Sequence, residues 1–181
     1  TESTKKAARC FYALEQNRAD QKRYPAVNPI DSYSKYLEYP EIREHLAEKV
    51  RPGWVEMVEK AKNTIRKGKD ANDQINILGD DGVPMSYHEL FWKSELVDFV
   101  ILQQDAFDAI DALCPIERQS YMLDLVLGIC DKEFKFEDYE QCRNFFKELI
   151  NLLRQMNYSE FKSEKFETYR QKLTNLLNNG N

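Results

Sequence analysis

The residues able to carry covalent or metal chemistry are few and scattered. Two histidines, His45 and His88, and four cysteines, Cys10, Cys114, Cys130 and Cys142, form no CxxC pair and no metal-like cluster. A His-Cys or His-Ser couple needs a base beside its nucleophile, and neither histidine has such a neighbourhood; both read as surface or capping residues. A carboxylate metal centre in a helical bundle needs Glu-x-x-His pairs, yet neither histidine follows a glutamate by three. A phosphate-binding loop needs closely spaced glycines and a Lys-Ser/Thr pair. The six glycines are scattered, and Gly68-Lys69-Asp70 has no hydroxyl to reach a magnesium ion. The 31 carboxylates read as solvating groups. No catalytic residue and no metal ligand is assigned.

Three stretches are unusual enough to call for a role. The first is Tyr24-Pro-Ala-Val-Asn-Pro-Ile-Asp-Ser-Tyr-Ser-Lys-Tyr36, where Pro25 and Pro29 exclude a continuous helix and predict an ordered, irregular strap. Tyr24 sits on restricted backbone directly before a proline turn. It either covers a helix end or presents a flat face to something planar. The second is residues 103–111, where amides and three acids surround Ala106 and Phe107, either as a helix leaving the core or as a built surface. The third is Leu78-Gly-Asp-Asp-Gly-Val-Pro-Met85, a tight acidic tip between helices.

The elements that must position these stretches are helical. Residues 4–20 predict a helix through Ala7, Ala8, Phe11 and Leu14, and no strand pattern stands out. Pro40 opens a short helix and Pro52 the next, with Trp54, Val55, Val58, Ala61 and Ile65 as its stripe and Gly68 as its end. Asp70 is the expected cap of a separate helix over 71–78. Ser86-Tyr87-His88-Glu89 has the form of a capping box, opening a central helix whose residues 90–102 are apolar nearly all round. Pro115 restarts a helix, and Tyr139, Cys142, Phe146, Leu149, Leu153 and Met156 mark another; a last one runs over about 160–177 and ends at Gly180. The expected fold is all-α: a helical bundle of about seven or eight helices with an N-terminal proline-rich strap. Residues 1–36 form the helix and strap and 37–181 the bundle domain.

The totals narrow the function. A net charge of -5 and a pI near 5.2 argue against nucleic acid as a partner, and the basic run over 60–69 reads as a solvated helix face. No apolar run reaches the roughly 20 residues of a membrane span, so no membrane insertion is expected. The unpaired cysteines fit a reduced, cytoplasmic setting. A chain opening on Thr1 without methionine reads as an excised fragment.

The strap from Tyr24 to Tyr36 resembles the segment after the nucleotide-binding core in catalytic subunits of rotary ATPases, and is most similar to the A subunit of the V/A-type enzymes. Leu102-Gln-Gln-Asp-Ala-Phe-Asp-Ala-Ile-Asp-Ala-Leu-Cys-Pro-Ile-Glu-Arg-Gln119, continuing through Tyr121-Met122-Leu123, resembles a second stretch of the same family, in the right order. The likeness is close over about residues 5–127; beyond, it is one of helical character, and the tail from Asp131 reads as peculiar to a bacterial branch. The resemblance implies that Tyr24 stacks on the adenine of bound ATP and that Ala106 and Phe107 form the other wall. It places Asp80 and Asp81 at the tip facing the central-stalk rotor. With so short an acidic tip, the apolar edge Val83-Pro84-Met85 is an equal candidate for that contact.

The family's phosphate-binding domain lies N-terminal to this stretch, so ATP and magnesium belong to the full-length subunit. The fragment is expected to bind no cofactor and to hydrolyse nothing alone. The implied partners are the non-catalytic B subunit and the rotor subunits of a soluble head peripheral to the membrane, coupled to proton or sodium transport. The alternative is a free-standing helical adaptor that grips a partner helix. Sequencing upstream of Thr1 separates the two: the ATPase reading expects a frame running several hundred residues back through a Gly-rich phosphate loop, and a start within a few residues of Thr1 would sink it.

Overall fold

The computed structural model describes residues 2–179, and the helix stop expected at Gly180 lies outside them. The N-terminal region departs most from the helical expectation. Only α1 (Glu2–Ala7) and the single turn α2 (Gln16–Asp20) are helical; between them runs β1 (Cys10–Leu14), which pairs antiparallel with β2 (Val27–Ser34). Alanine favours helix and Ala7 does close α1, whereas Cys10, Phe11 and Tyr12 suit a half-buried strand with a partner at hand. Phe11 stacks on Tyr33 across the pair at 5.8 Å.

The strap is therefore ordered as a strand, with its irregularity concentrated at one place. Phe11 pairs with Tyr33 but Ala13 pairs with Asn28, so residues 29–32 bulge out opposite Tyr12. Asn28 ties the bulge off: its Oδ1 accepts the amides of Ile30 (2.9 Å) and Asp31 (3.0 Å), an Asx turn. Ser32 Oγ in turn accepts the Ala13 amide at 3.0 Å. Pro29 is accommodated because it falls in this bulge, where no ladder bond is needed.

The bundle follows as α3 (Pro40–Lys49), α4 (Trp54–Leu78), α5 (Met85–Val97), α6 (Ile116–Cys130), α7 (Tyr139–Asn157) and α8 (Glu164–Asn179). The fold class is all-α apart from the hairpin. Helix α5 is central, packed on α4, α6 and α7, while α8 closes over α7. Leu96 and Val97 are fully buried, and no residue from 87 to 100 is exposed. The α7 stripe behaves as its spacing demands, with Cys142, Phe146, Leu149, Leu153 and Met156 all at 0% exposure. Asp138 caps that helix through the Gln141 amide at 2.8 Å. Phe134, Phe136, Phe145 and Phe146 form an aromatic cluster with centroids 5.0–6.2 Å apart.

Two helix boundaries are corrected. Helix α4 does not stop at Gly68, and Asp70 caps nothing; the helix runs unbroken to Leu78. A Cβ on Gly68 would lie 2.0 Å from Ser94 Cβ and 2.9 Å from the Leu90 carbonyl oxygen. The glycine is there for close approach of α4 to α5, and termination falls instead at Gly79, whose φ of 80° a side chain would disfavour. The capping box over 86–89 does not form either. Helix α5 opens one residue earlier, behind Pro84, and Glu89 pairs with Lys93 at 2.6 Å. The basic run is only partly solvated: Lys60 meets Asp131 at 2.5 Å, and Lys62 donates to the Ser32 carbonyl at 3.2 Å, tacking β2 to α4.

Gly68→Ala should gain helix propensity and yet destabilise, by about 1–3 kcal/mol, because α4 and α5 must separate. Thermal unfolding checks this, and a raised Tm would refute the close-packing role.

Candidate functional site

The chain leaves α2 through a tight turn in which the Arg23 amide donates to the Arg18 carbonyl at 2.8 Å, with Lys22 at φ 57°. Tyr24 emerges from it half exposed. On the other side, α5 ends in a π-helical turn, Asp98–Leu102, and the chain turns into residues 103–110. The two segments meet directly: the Gln104 amide donates to the Tyr24 carbonyl at 3.0 Å. Tyr24, Ala106 and Phe107, distant in sequence, thus line one pocket of about 520 Å³, together with Lys22, Phe99, Gln103 and Arg154. Phe107 is fully exposed, so the pocket has an aromatic rim.

The acids of residues 103–111 are construction rather than solvation. Asp105 accepts the Phe107 amide (2.9 Å) and Asp108 those of Ile110 (2.9 Å) and Asp111 (2.8 Å), while Asp111 accepts the Asp105 amide at 2.7 Å. Each Asx turn shapes the backbone that carries Ala106 and Phe107. Burial pushes the Asp111 carboxyl above its ordinary range; the Asp105 amide and the Arg118 charge offset this in part.

Arg118, 1% exposed, holds the loop from behind. Its guanidinium donates to the carbonyls of Asn157 (2.9 Å), Ile110 (3.3 Å) and Asp111 (3.4 Å), and pairs with Asp111 Oδ1 at 3.4 Å. Asn157 returns a bond to the Val100 carbonyl at 2.8 Å, closing α7 onto the π turn. Sequence reasoning missed Arg118, Asn157, Gln103, Lys22 and Arg154. Asp105 and Asp108 do carry a local signal, standing two or three residues before the amides they accept, although the sequence analysis read the carboxylates as solvating.

On the strap side, the Arg23 guanidinium forks onto Glu95 with both bonds at 2.9 Å and reaches Asp98 at 2.6 Å. Arg18 meets Asp98 through bonds of 2.8 and 3.1 Å. Burial works against the charge on Arg23, but its bonds to Glu95 and Asp98 outweigh this and raise its pKa.

At the opposite end of α5, Asp80 and Asp81 lie in a short exposed 3-10 turn, Asp80–Gly82. Pro84 is exposed and Val83 half-buried, whereas Met85 packs against the core and has less surface to offer. Ile77 and Leu78, at 74% and 56% exposure, present more apolar surface at this tip than the edge picked out from the sequence. His88 is buried rather than superficial; its Nε2 lies 2.9 Å from the Asp80 carbonyl oxygen, and its ring stacks on Tyr139. His45 is exposed.

Among the described residues, no group of three or more His, Cys, Asp or Glu side chains is arranged to hold a metal ion. Burial raises the thiols of Cys130 and Cys142 to about 12, so neither is a ready nucleophile. No helix among them is long and apolar enough to cross a membrane.

Fold and pocket together define a helical-bundle domain with a strand hairpin strapped over one end and an aromatic-rimmed cleft beneath it. The family model described as the C-terminal domain of V and A type ATP synthase matches residues 43–146. A V-type ATP synthase alpha chain of Chlamydia abortus is 38% identical over 167 residues, 92% of this chain and 28% of that protein. One from Chlamydia pneumoniae is 37% identical over 177 residues, 98% of this chain and 29% of the relative. The chain therefore belongs to the family of C-terminal domains of V and A type ATP synthases, and spans under a third of the length of the curated relatives it matches. The likeness also continues through the tail beyond Asp131, further than the sequence motifs indicated. Among solved structures, the ATP synthase subunit NeqB of Nanoarcheaum equitans shares the fold, with a TM-score of 0.54 and 18% identity over 73% of this chain and 30% of that one.

Arg118→Met should lower the unfolding free energy by about 3–5 kcal/mol, since it leaves the buried Asp111 carboxylate without its opposite charge and removes the side-chain donor to the Asn157 carbonyl. Urea titration measures this, and a loss under about 1 kcal/mol would contradict the anchoring role.

Proposed function

We propose that this chain is the C-terminal domain of a nucleotide-binding A-type subunit, in which Tyr24 forms one wall of the adenine pocket and Ala106 and Phe107 the other. The observation that carries this reading is the shared pocket: the two segments are joined by the Gln104 amide to Tyr24 carbonyl bond, with Tyr24 and Phe107 at its rim. The residues suit a purine. Aromatic faces match the flat base, and Gln103 Nε2, enclosed and without a hydrogen-bond partner, offers a donor to the acceptors on the edge of an adenine. They do not suit the triphosphate or its magnesium ion, for the sequence has no Gly-rich phosphate loop, and the pocket acids Asp105 and Asp111 are bound to backbone amides and belong to no metal-holding group among the described residues. Those groups belong to the remainder of the subunit, where ATP would be hydrolysed or made.

The second half of the proposal is mechanical. Helix α5 has 13 residues and is about 20 Å long, with the tip at its start and the pocket at its end. Closure of the pocket on nucleotide would tilt the α4-α5 pair and press Asp80, Asp81, Val83, Pro84 and Met85, with Ile77 and Leu78, against the rotor. The tight α4-α5 contact at Gly68 makes that pair stiff enough to transmit displacement. The partners are the non-catalytic B subunit and central-stalk subunits, in a cytoplasmic head peripheral to the membrane that drives proton or sodium transport. The residues 1–36 are the end of the nucleotide-binding region and 37–181 the lever. The family match and the pocket favour this over a free-standing adaptor.

Tyr24→Ser in a complete V-type ATP synthase alpha chain carrying this domain should weaken MgATP binding by about 1 kcal/mol or more, the size of a lost base stack. The fold should persist, since the ring is 53% exposed. Fluorescent-nucleotide titration with circular dichroism tests both points, and an unchanged affinity would remove Tyr24 from the pocket.

A further inference from the structure

Tyr24 is held in place by little of its own side chain. The ring is half exposed, and its hydroxyl makes only a long 3.5 Å contact with the Ala19 carbonyl. Its position is set by the backbone on either side. One anchor is the Gln104 amide already described. The other is the preceding residue, Arg23, whose side chain runs away from the pocket into a cluster of two arginines and two acids. Arg18 and Asp98 in that cluster are 8% and 6% exposed. Arg23 uses its whole fork there, spanning Glu95 on α5 and Asp98 on the π turn, and its guanidinium lies 4.9 Å from the centroid of Phe99, which lines the pocket.

Such a cluster is poorly explained by stability alone. Taking Arg18 and Asp98 out of water, and Arg23 and Glu95 partly so, costs about as much as their pairing returns, and apolar residues of like volume often do as well. What the pairing does provide is geometry. A guanidinium bidentate to Glu95 and singly bonded to Asp98 allows one orientation of the strap relative to α5, where an apolar contact would tolerate sliding.

We infer that Arg23 is a positioning residue for nucleotide binding: clamped by Glu95 and Asp98, it fixes Tyr24 opposite Ala106 and Phe107. The inference rests on the adenine reading of the pocket. It assigns Glu95 and Asp98 the role of orienting Arg23, with no contact to nucleotide, and Arg18 that of holding Asp98 in place.

The test compares Arg23→Gln, Glu95→Gln and Tyr24→Ser in a complete V-type ATP synthase alpha chain carrying this domain, with two probes, MgATP and magnesium tripolyphosphate. Tripolyphosphate has the phosphates but no base. Loss of Tyr24 placement should raise the Kd for MgATP at least threefold in Arg23→Gln and Glu95→Gln while leaving tripolyphosphate binding within twofold. A merely structural Arg23 would instead lower the binding-competent fraction for both probes equally, and that result would overturn the inference. So would an unchanged MgATP Kd in both variants. Glu95→Gln leaves both arginines paired with Asp98 and serves where Arg23→Gln fails to fold. If Tyr24→Ser raises the MgATP Kd and the two clamp variants do not, the clamp alone is refuted; if Tyr24→Ser also has no effect, the adenine reading fails and takes the clamp with it.

Discussion

Arg18 and Arg23 meet Glu95 and Asp98 across more than seventy residues of sequence, and the placement of the whole N-terminal hairpin depends on that meeting. Two strands alone make a marginal sheet. Here the hairpin is stable because it is docked: by this charged cluster on α5, by Lys62 on the β2 backbone, and by the Tyr24 to Gln104 bond. Tyr24 is a half-exposed residue on a turn, and the cluster holds the residue before it. With the cluster, the ring belongs to the same rigid unit as the end of α5.

The pocket itself is built from two supports of different kinds. The strap side is held by charge, and the wall of residues 103–110 by a lattice of backbone bonds in which three aspartates and Arg118 satisfy amides and carbonyls that no helix or strand takes up. Irregular backbone of this sort persists only where every polar group finds a partner. That is why a loop rich in acids is also a loop of fixed shape. Between the two supports, the side chains of Ala106 and Phe107 stand exposed at the pocket.

Helix α5 joins this pocket to the tip, and its packing explains how one element serves both ends. None of its residues after Ser86 is exposed, its Ser94 packs directly on the α4 backbone at Gly68, and its first turn carries His88 bonded to the Asp80 carbonyl. A displacement at one end has little room to be absorbed in such packing.

Much was legible in the residues themselves. The stripe on α7, the proline starts of α3 and α6, the all-round apolar character of α5 and the all-α class follow from periodicity and local chemistry, which act over one or two helical turns. The motifs around Tyr24 and Phe107 also marked two segments that the fold brings to one pocket. Local chemistry misled wherever a distant partner outvoted it. Residues 10–14 became a strand because β2 was available to pair, Gly68 stayed inside a helix because Ser94 lies against it, and the 86–89 capping box yielded to Pro84. Only the tertiary structure could bring Arg23 to Glu95 and Arg118 to Asn157, since the side chains that position the site meet through space and leave no periodicity in the sequence.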